Sequence, residues 1–249
     1  METLPAQTKP ASVAIRQRHT PEPSRYSGYR ACLRWDFGFC CPFCLVHEAD
    51  LTEHGVERTG LMTIEHLVTR SADPGLADAY ANCRLACRYC NTARNDAPRR
   101  DVAGRWLLDP CEVAWGSRFQ VMDTSLAPSN PHDPDATYTY ESYDLDDPRR
   151  RAMRARRAEA VGQAWRAIGI LPSLESRLLA AAVNAPEGPA RAECIDEANF
   201  IRHVLQLARQ QLRRYHAVPL DAPSTCRCGT TAQHRLPDHL AAQSVEAPE

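Results

Sequence analysis

Cys41-Pro42-Phe43-Cys44 and, further along, Cys87-Arg88-Tyr89-Cys90-Asn91 decide how this chain is read. In each stretch two residues separate two cysteines. That spacing lets one tight turn aim both sulfurs at the same ion. Zinc takes four ligands in a tetrahedron, and thiolates are its usual structural ligands. Two such pairs read as a metal site rather than a disulfide framework. The spacing therefore predicts a structural Zn²⁺ held by Cys41, Cys44, Cys87 and Cys90. Cys40 leaves a register ambiguity, and the tighter Cys41/Cys44 spacing is preferred. Cys32, Cys83, Cys111 and Cys194 have no partner spacing and read as packed thiols. Cys226, Cys228, His234 and His239 are zinc-type residues at irregular spacing, and whether they bind a second ion is left open.

Short elements are expected between the two pairs. Gly60 to Val68 reads as an apolar strand carrying Glu65 and His66, and Asn82 to Ala86 reads as a second one. Asp73, Pro74 and Gly75 mark a loop between them. From Arg88 the pattern turns helical, with Pro98 as its stop.

Composition narrows the class without naming a partner. The chain has 249 residues, with 43% hydrophobic and 24% charged residues and a formal net charge of -1. Near neutrality leaves local clustering to decide nucleic-acid binding. Lys9 is the sole lysine, so nearly all positive charge is arginine, whose planar fork suits phosphate oxygens. No run is apolar enough to span a membrane, and the N-terminus lacks a basic stretch followed by an apolar run. A cytoplasmic protein without a membrane partner is expected.

The residues inside the cysteine frame carry a resemblance. Glu65-His66 at a strand end, Asn82 in the middle, and Cys87-Arg-Tyr-Cys90-Asn91-x-x-Arg94 at the close resemble the HNH endonuclease family, in its zinc-containing, two-CxxC form. The likeness covers about residues 41 to 94. It implies an α+β fold: a small ββα-metal module with a four-cysteine zinc knuckle, followed by a mainly α-helical C-terminal lobe. It also implies metal-dependent hydrolysis of DNA, leaving a 5′ phosphate and a 3′ hydroxyl, with RNA not excluded. His66 would activate water, near its unperturbed pKa of about 6.5. Glu65 and Asn91 would hold Mg²⁺ or another divalent cation, which suits oxygen ligands. Asn82 would brace the loop between the strands. Arg94, one turn after Asn91, and Arg88 would contact nucleic acid. Many relatives carry Asp where this chain has Glu65. The alternative is a catalytically inactive zinc module that binds nucleic acid or protein.

Outside that frame the reading is coarser. Residues 1–27 read as a flexible arm, to which Arg16, Arg18 and Arg25 lend positive charge that continues through Arg30 and Arg34. Residues 28–113 form the nuclease module. Residues 114–147 read as a linking segment in which the alternating Tyr138, Tyr140 and Tyr143 suggest a strand. Asp146-Asp147-Pro148 suits a helix start. It opens a helical lobe at 148–216, broken at Pro186 to Pro189, which would serve a protein partner or a homodimer. The run from Arg149 to Arg157 would line a phosphate groove or form a solvated face. Residues 217–249 read as a disordered tail.

Overall fold

A computed structural model describes residues 10–51, 61–216 and 228. Its chain order is α1 (Arg30–Asp36), β1 (Met62–His66), β2 (Cys83–Cys87), α2 (Arg88–Arg94), α3 (Trp115–Arg118), β3 (Phe119–Met122), β4 (Ser125–Pro128), α4 (Pro134–Tyr143), α5 (Pro148–Asn184) and α6 (Pro189–His216). A small strand-and-helix module therefore precedes a mostly helical region. Among the described residues, those up to 156 together with 228 form one unit, and 157–216 form a second. No helix among the described residues is long and apolar enough to cross a membrane.

β1 and β2 pair antiparallel, with Met62 opposite Cys87 and His66 opposite Cys83. α2 follows β2 without a connecting loop. Cys87 caps it, its sulfur accepting the Cys90 N–H at 3.4 Å. The motif thus starts the helix with the same residue that ends the strand.

Such a short hairpin cannot bury much apolar surface by itself. The core is completed by Phe43, which lies inside the first cysteine turn. Its ring stacks on Tyr143 at 4.2 Å and meets Trp115 edge-on at 5.9 Å. Trp115 donates its indole N–H to the Phe43 carbonyl at 3.1 Å. Residues 114–147 therefore belong to the module's own core rather than linking it to something else.

Two readings change here. Tyr138 to Tyr143 is helical, within α4, and not a strand. Asp133 accepts the N–H groups of Asp135 and Ala136, and Pro134 stands at the first helical position. That start signal outweighs the closely spaced tyrosines. Strands do occur in this segment, but as the β3–β4 hairpin, with Val121 opposite Leu126. Residues 10–27 are also not a free arm. Ile15 is buried and its N–H reaches the Pro110 carbonyl at 2.8 Å, while Gln17 reaches the Cys83 carbonyl at 2.8 Å.

Asp147 accepts the N–H groups of Arg149 and Arg150 and caps α5. In the second unit, Ala198, Ile201, Leu205 and Ala208 of α6 are buried, spaced three and four residues apart as one helix face requires. Arg202 pairs with Glu175 of α5 at 2.9 Å.

A buried ion pair ties the chain after α2 back to the hairpin. Arg84 of β2 grips Asp109 through two contacts of 2.8 and 2.5 Å, and both residues are sealed from solvent. Removing one partner leaves the other charge buried alone, at a cost of about 3–5 kcal/mol. For a chain of this size, Asp109→Ala should lower the thermal midpoint by roughly 6–20 °C. Calorimetry checks this, and an unchanged midpoint would show that the pair adds nothing.

Candidate active site

The four cysteines of the two CxxC pairs meet at one point. Their sulfurs all lie within 4.8 Å of one another, and every one is buried. Cys44 and Cys87 are 3.5 Å apart. Zinc–sulfur bonds of about 2.3 Å in a tetrahedron place sulfurs about 3.8 Å from each other, so the set fits zinc. The register is Cys41, because Cys40 instead bridges to His47 outside the cluster. The first turn closes through Cys41 N–H to Val46 carbonyl and Leu45 N–H to Cys41 carbonyl, with Leu45 at φ 65°. Of the other zinc-type residues in the tail, Cys226, His234 and His239 lie outside the described residues.

Four thiolates around Zn²⁺ leave two net negative charges in a dry interior. Arg150 answers this charge, donating to the Cys90 sulfur at 3.1 Å. Arg154 donates to the Cys44 carbonyl at 3.0 Å and the Thr124 carbonyl at 2.8 Å. Both arginines are buried. Burial alone would raise the Cys44 thiol, but hydrogen bonds from Cys41, Cys87 and Cys90, with the charge of Arg150, draw it well below the ordinary range. At Arg150 and Arg154, therefore, the arginine run serves the zinc knuckle rather than a phosphate groove or a solvated face.

One strand and one helix away lies a cavity of about 360 Å³. Glu65, His66 and Asn91 line it, joined by Tyr26, Arg30 and Arg70. The His66 Nε2 lies 2.9 Å from the Ala77 carbonyl, so that nitrogen carries the proton and donates it. The ring meets Tyr26 edge-on at 4.9 Å. Burial lowers the His66 pKa, and although the Ala77 bond opposes this, Arg70 and Arg94 lower it further. The imidazole is accordingly neutral at pH 7.

Asn91 donates through Nδ2 to the Thr63 hydroxyl at 3.0 Å and the Ile64 carbonyl at 3.4 Å. Asn82 closes the loop after β1: its side chain accepts the Val68 N–H at 2.8 Å and donates to the Val68 carbonyl at 2.9 Å. It also donates to the Leu76 carbonyl.

Glu65 and Arg94 line the same cavity and are paired with each other. Each is 2% exposed. Arg94 pairs with Glu65 and also donates to the carbonyls of His66 and Leu67. Burial pushes the Glu65 carboxyl up to about 7, with Arg94 opposing the rise. In this arrangement Arg94 holds the end of β1 while lining the cavity. Arg88 is exposed, but it lines a different cleft, with Tyr89 and Arg149. Besides Arg94, the cations lining the cavity with His66 are Arg70, exposed over the Tyr26 ring at 5.4 Å, and half-buried Arg30. Sequence spacing carried no signal for Arg70. Arg30 stood only within a diffuse basic stretch.

Residues 41–97 match the family model described as HNH endonuclease. This segment is an HNH domain. The match opens on the first knuckle cysteine and takes in Glu65, His66, Asn82, Asn91 and both cysteine pairs. HNH membership makes nucleic acid a plausible substrate. No curated protein and no solved structure matches the chain.

Proposed function

We propose that this HNH domain hydrolyses DNA phosphodiester bonds, with His66 as general base and a divalent cation held by Glu65 and Asn91. The observation that carries the reading is the His66–Ala77 hydrogen bond. It commits Nε2 as donor and leaves Nδ1 as the basic nitrogen, on a ring that lines the cavity. A neutral imidazole held in one orientation is what proton removal from water requires.

Asn91 supports the second half of the reading. Its Nδ2 is spent on Thr63 and Ile64, so the side-chain oxygen is the group left for a cation. Glu65 gives Oε1 to Arg94, so Oε2 is the carboxylate oxygen that Arg94 does not take. Hard divalent ions take oxygen donors and fill remaining positions with water and substrate phosphate, so one carboxylate and one amide suit Mg²⁺ or Mn²⁺. A bound ion would polarise the phosphate and ease departure of the 3′ oxygen. Arg70 and Arg30 would hold the flanking phosphates, and Asn82 would keep the loop after β1 in place so that Ala77 stays under His66.

Plasmid nicking by the zinc-loaded full-length protein tests this. Cleavage should appear on adding Mg²⁺ or Mn²⁺ and leave 5′ phosphate ends. A folded, zinc-loaded protein that cuts neither supercoiled nor single-stranded DNA with either ion would overturn the reading.

A further inference from the structure

His19, Cys32 and Cys228 come from three distant points of the chain, yet their ligand atoms all lie within 4.8 Å of one another. The His19 Nδ1 is 3.5 Å from the Cys228 sulfur. His19 is 3% exposed and Cys32 fully buried. Cys32 sits in the middle of α1, and the Cys228 backbone N–H donates to its sulfur. Asp36, one turn after Cys32, fixes the approach of the N-terminal segment. Its Oδ1 accepts the N–H groups of Arg18 at 2.8 Å and His19 at 3.3 Å, while Oδ2 accepts the Tyr80 hydroxyl at 2.5 Å.

We propose that these three residues form a second zinc site, assembled in the reduced protein and separate from the four-cysteine knuckle. One imidazole and two thiolates are a zinc donor set, and a three-ligand site leaves its fourth position to water. The site differs from anything the tail cysteines suggest by spacing, because its partners lie in the N-terminal segment and α1.

Redox state governs it. Cys228 takes part in a disulfide in the structure. A disulfide sulfur is not a thiolate, and the thiolate is the metal ligand. A dithiol reductant would pass two electrons and two protons to that disulfide; the S–S bond breaks, Cys228 becomes a thiol, and the reductant closes into its own disulfide. Zn²⁺ would then replace the thiol protons of Cys32 and Cys228, releasing two protons, and accept the Nδ1 lone pair of His19. Exchange with an excess of a small-molecule disulfide, which takes up the two electrons and leaves as two thiols, would restore the Cys228 disulfide and expel the ion. The closed site would fasten the chain at residue 228 to α1, whose first residue, Arg30, lines the cavity beside His66.

The test is zinc content of the untagged full-length protein, reduced with a dithiol, desalted, loaded with zinc and washed. Two ions per chain are expected in the wild type, and one in Cys228→Ser, whose four-cysteine knuckle is untouched. Wild type left oxidised should hold one. Cobalt loading gives a second readout: the wild-type spectrum minus that of Cys228→Ser should show weaker thiolate charge transfer than the knuckle alone. His19→Ala should also lose one ion. A single ion in reduced wild type, or two in Cys228→Ser, would overturn the site, and two in the oxidised protein would overturn its redox control.

Discussion

Cys87→Ser is expected to yield protein that neither retains zinc against a mild chelator nor folds cooperatively. Cys87 has two tasks at once. Its sulfur is one of four around the ion site, and the same atom caps α2 by accepting the Cys90 N–H. A serine hydroxyl stays protonated near neutral pH and is a poor zinc donor, though it can still cap a helix. The zinc contribution therefore dominates. Structural zinc supplies apparent binding energy of about 10–16 kcal/mol, against a typical folding stability of about 5–15 kcal/mol. Losing most of it should abolish the HNH domain fold. The loss should also strip buried Arg150 and Arg154 of their partners in the knuckle. Metal analysis and thermal melts followed by far-ultraviolet circular dichroism check both statements. A variant with one tightly held zinc and a wild-type melt would break the four-cysteine assignment.

That variant also marks what the sequence makes legible. Cysteine spacing is local information, and local spacing sets which sulfurs a turn can aim at one ion. Hence Cys41, Cys44, Cys87 and Cys90 can be read without a structure, as can the strand–strand–helix order around them. The helix start at Asp147-Pro148 is legible for the same reason, because a cap acts within one turn. Charge partners are different. Arg94 looks like a phosphate clamp from its place one turn after Asn91, yet its guanidinium folds back onto Glu65 and two carbonyls. Arg150 and Arg154 look like a basic strip, yet they serve sulfur and backbone oxygens. Nothing in a charge pattern says whether the partner is a phosphate or a carbonyl far away in the chain. Tyr138 to Tyr143 failed in another way: Tyr138 and Tyr140 alternate, with Tyr143 close behind, and imitate a half-buried strand, and the Asp133-Pro134 cap just upstream settles the matter. The meeting of His19, Cys32 and Cys228 joins residues 209 positions apart and has no local signature at all.

His66→Ala should leave a folded, zinc-loaded protein whose DNA cleavage falls by about 10²–10⁴-fold, the usual worth of a positioned general base. The side chain packs at a strand end against Tyr26 and touches only the Ala77 carbonyl by hydrogen bond, so its removal spares the knuckle and the core. The sign of the pH dependence follows from two groups. Burial lowers the His66 pKa from 6.5, so the base remains neutral down to mildly acidic pH. Glu65 is pushed up to about 7, so in metal-free protein its carboxylate forms only as pH rises through that value. A cation binds the ionised form and pulls that pKa down. At low Mg²⁺, wild-type cleavage should therefore rise with pH through about 7. At saturating Mg²⁺ the acid limb should move below 6.5, where protonation of His66 sets it. Residual cleavage by His66→Ala should lack that lower limb, because no imidazole is left to titrate. Imidazole added to the variant, where the cavity of about 360 Å³ leaves room for it, should restore part of the rate. Equal rates for wild type and His66→Ala, with the acid limb unchanged, would remove His66 from the chemistry and leave the cation and the arginines to carry it.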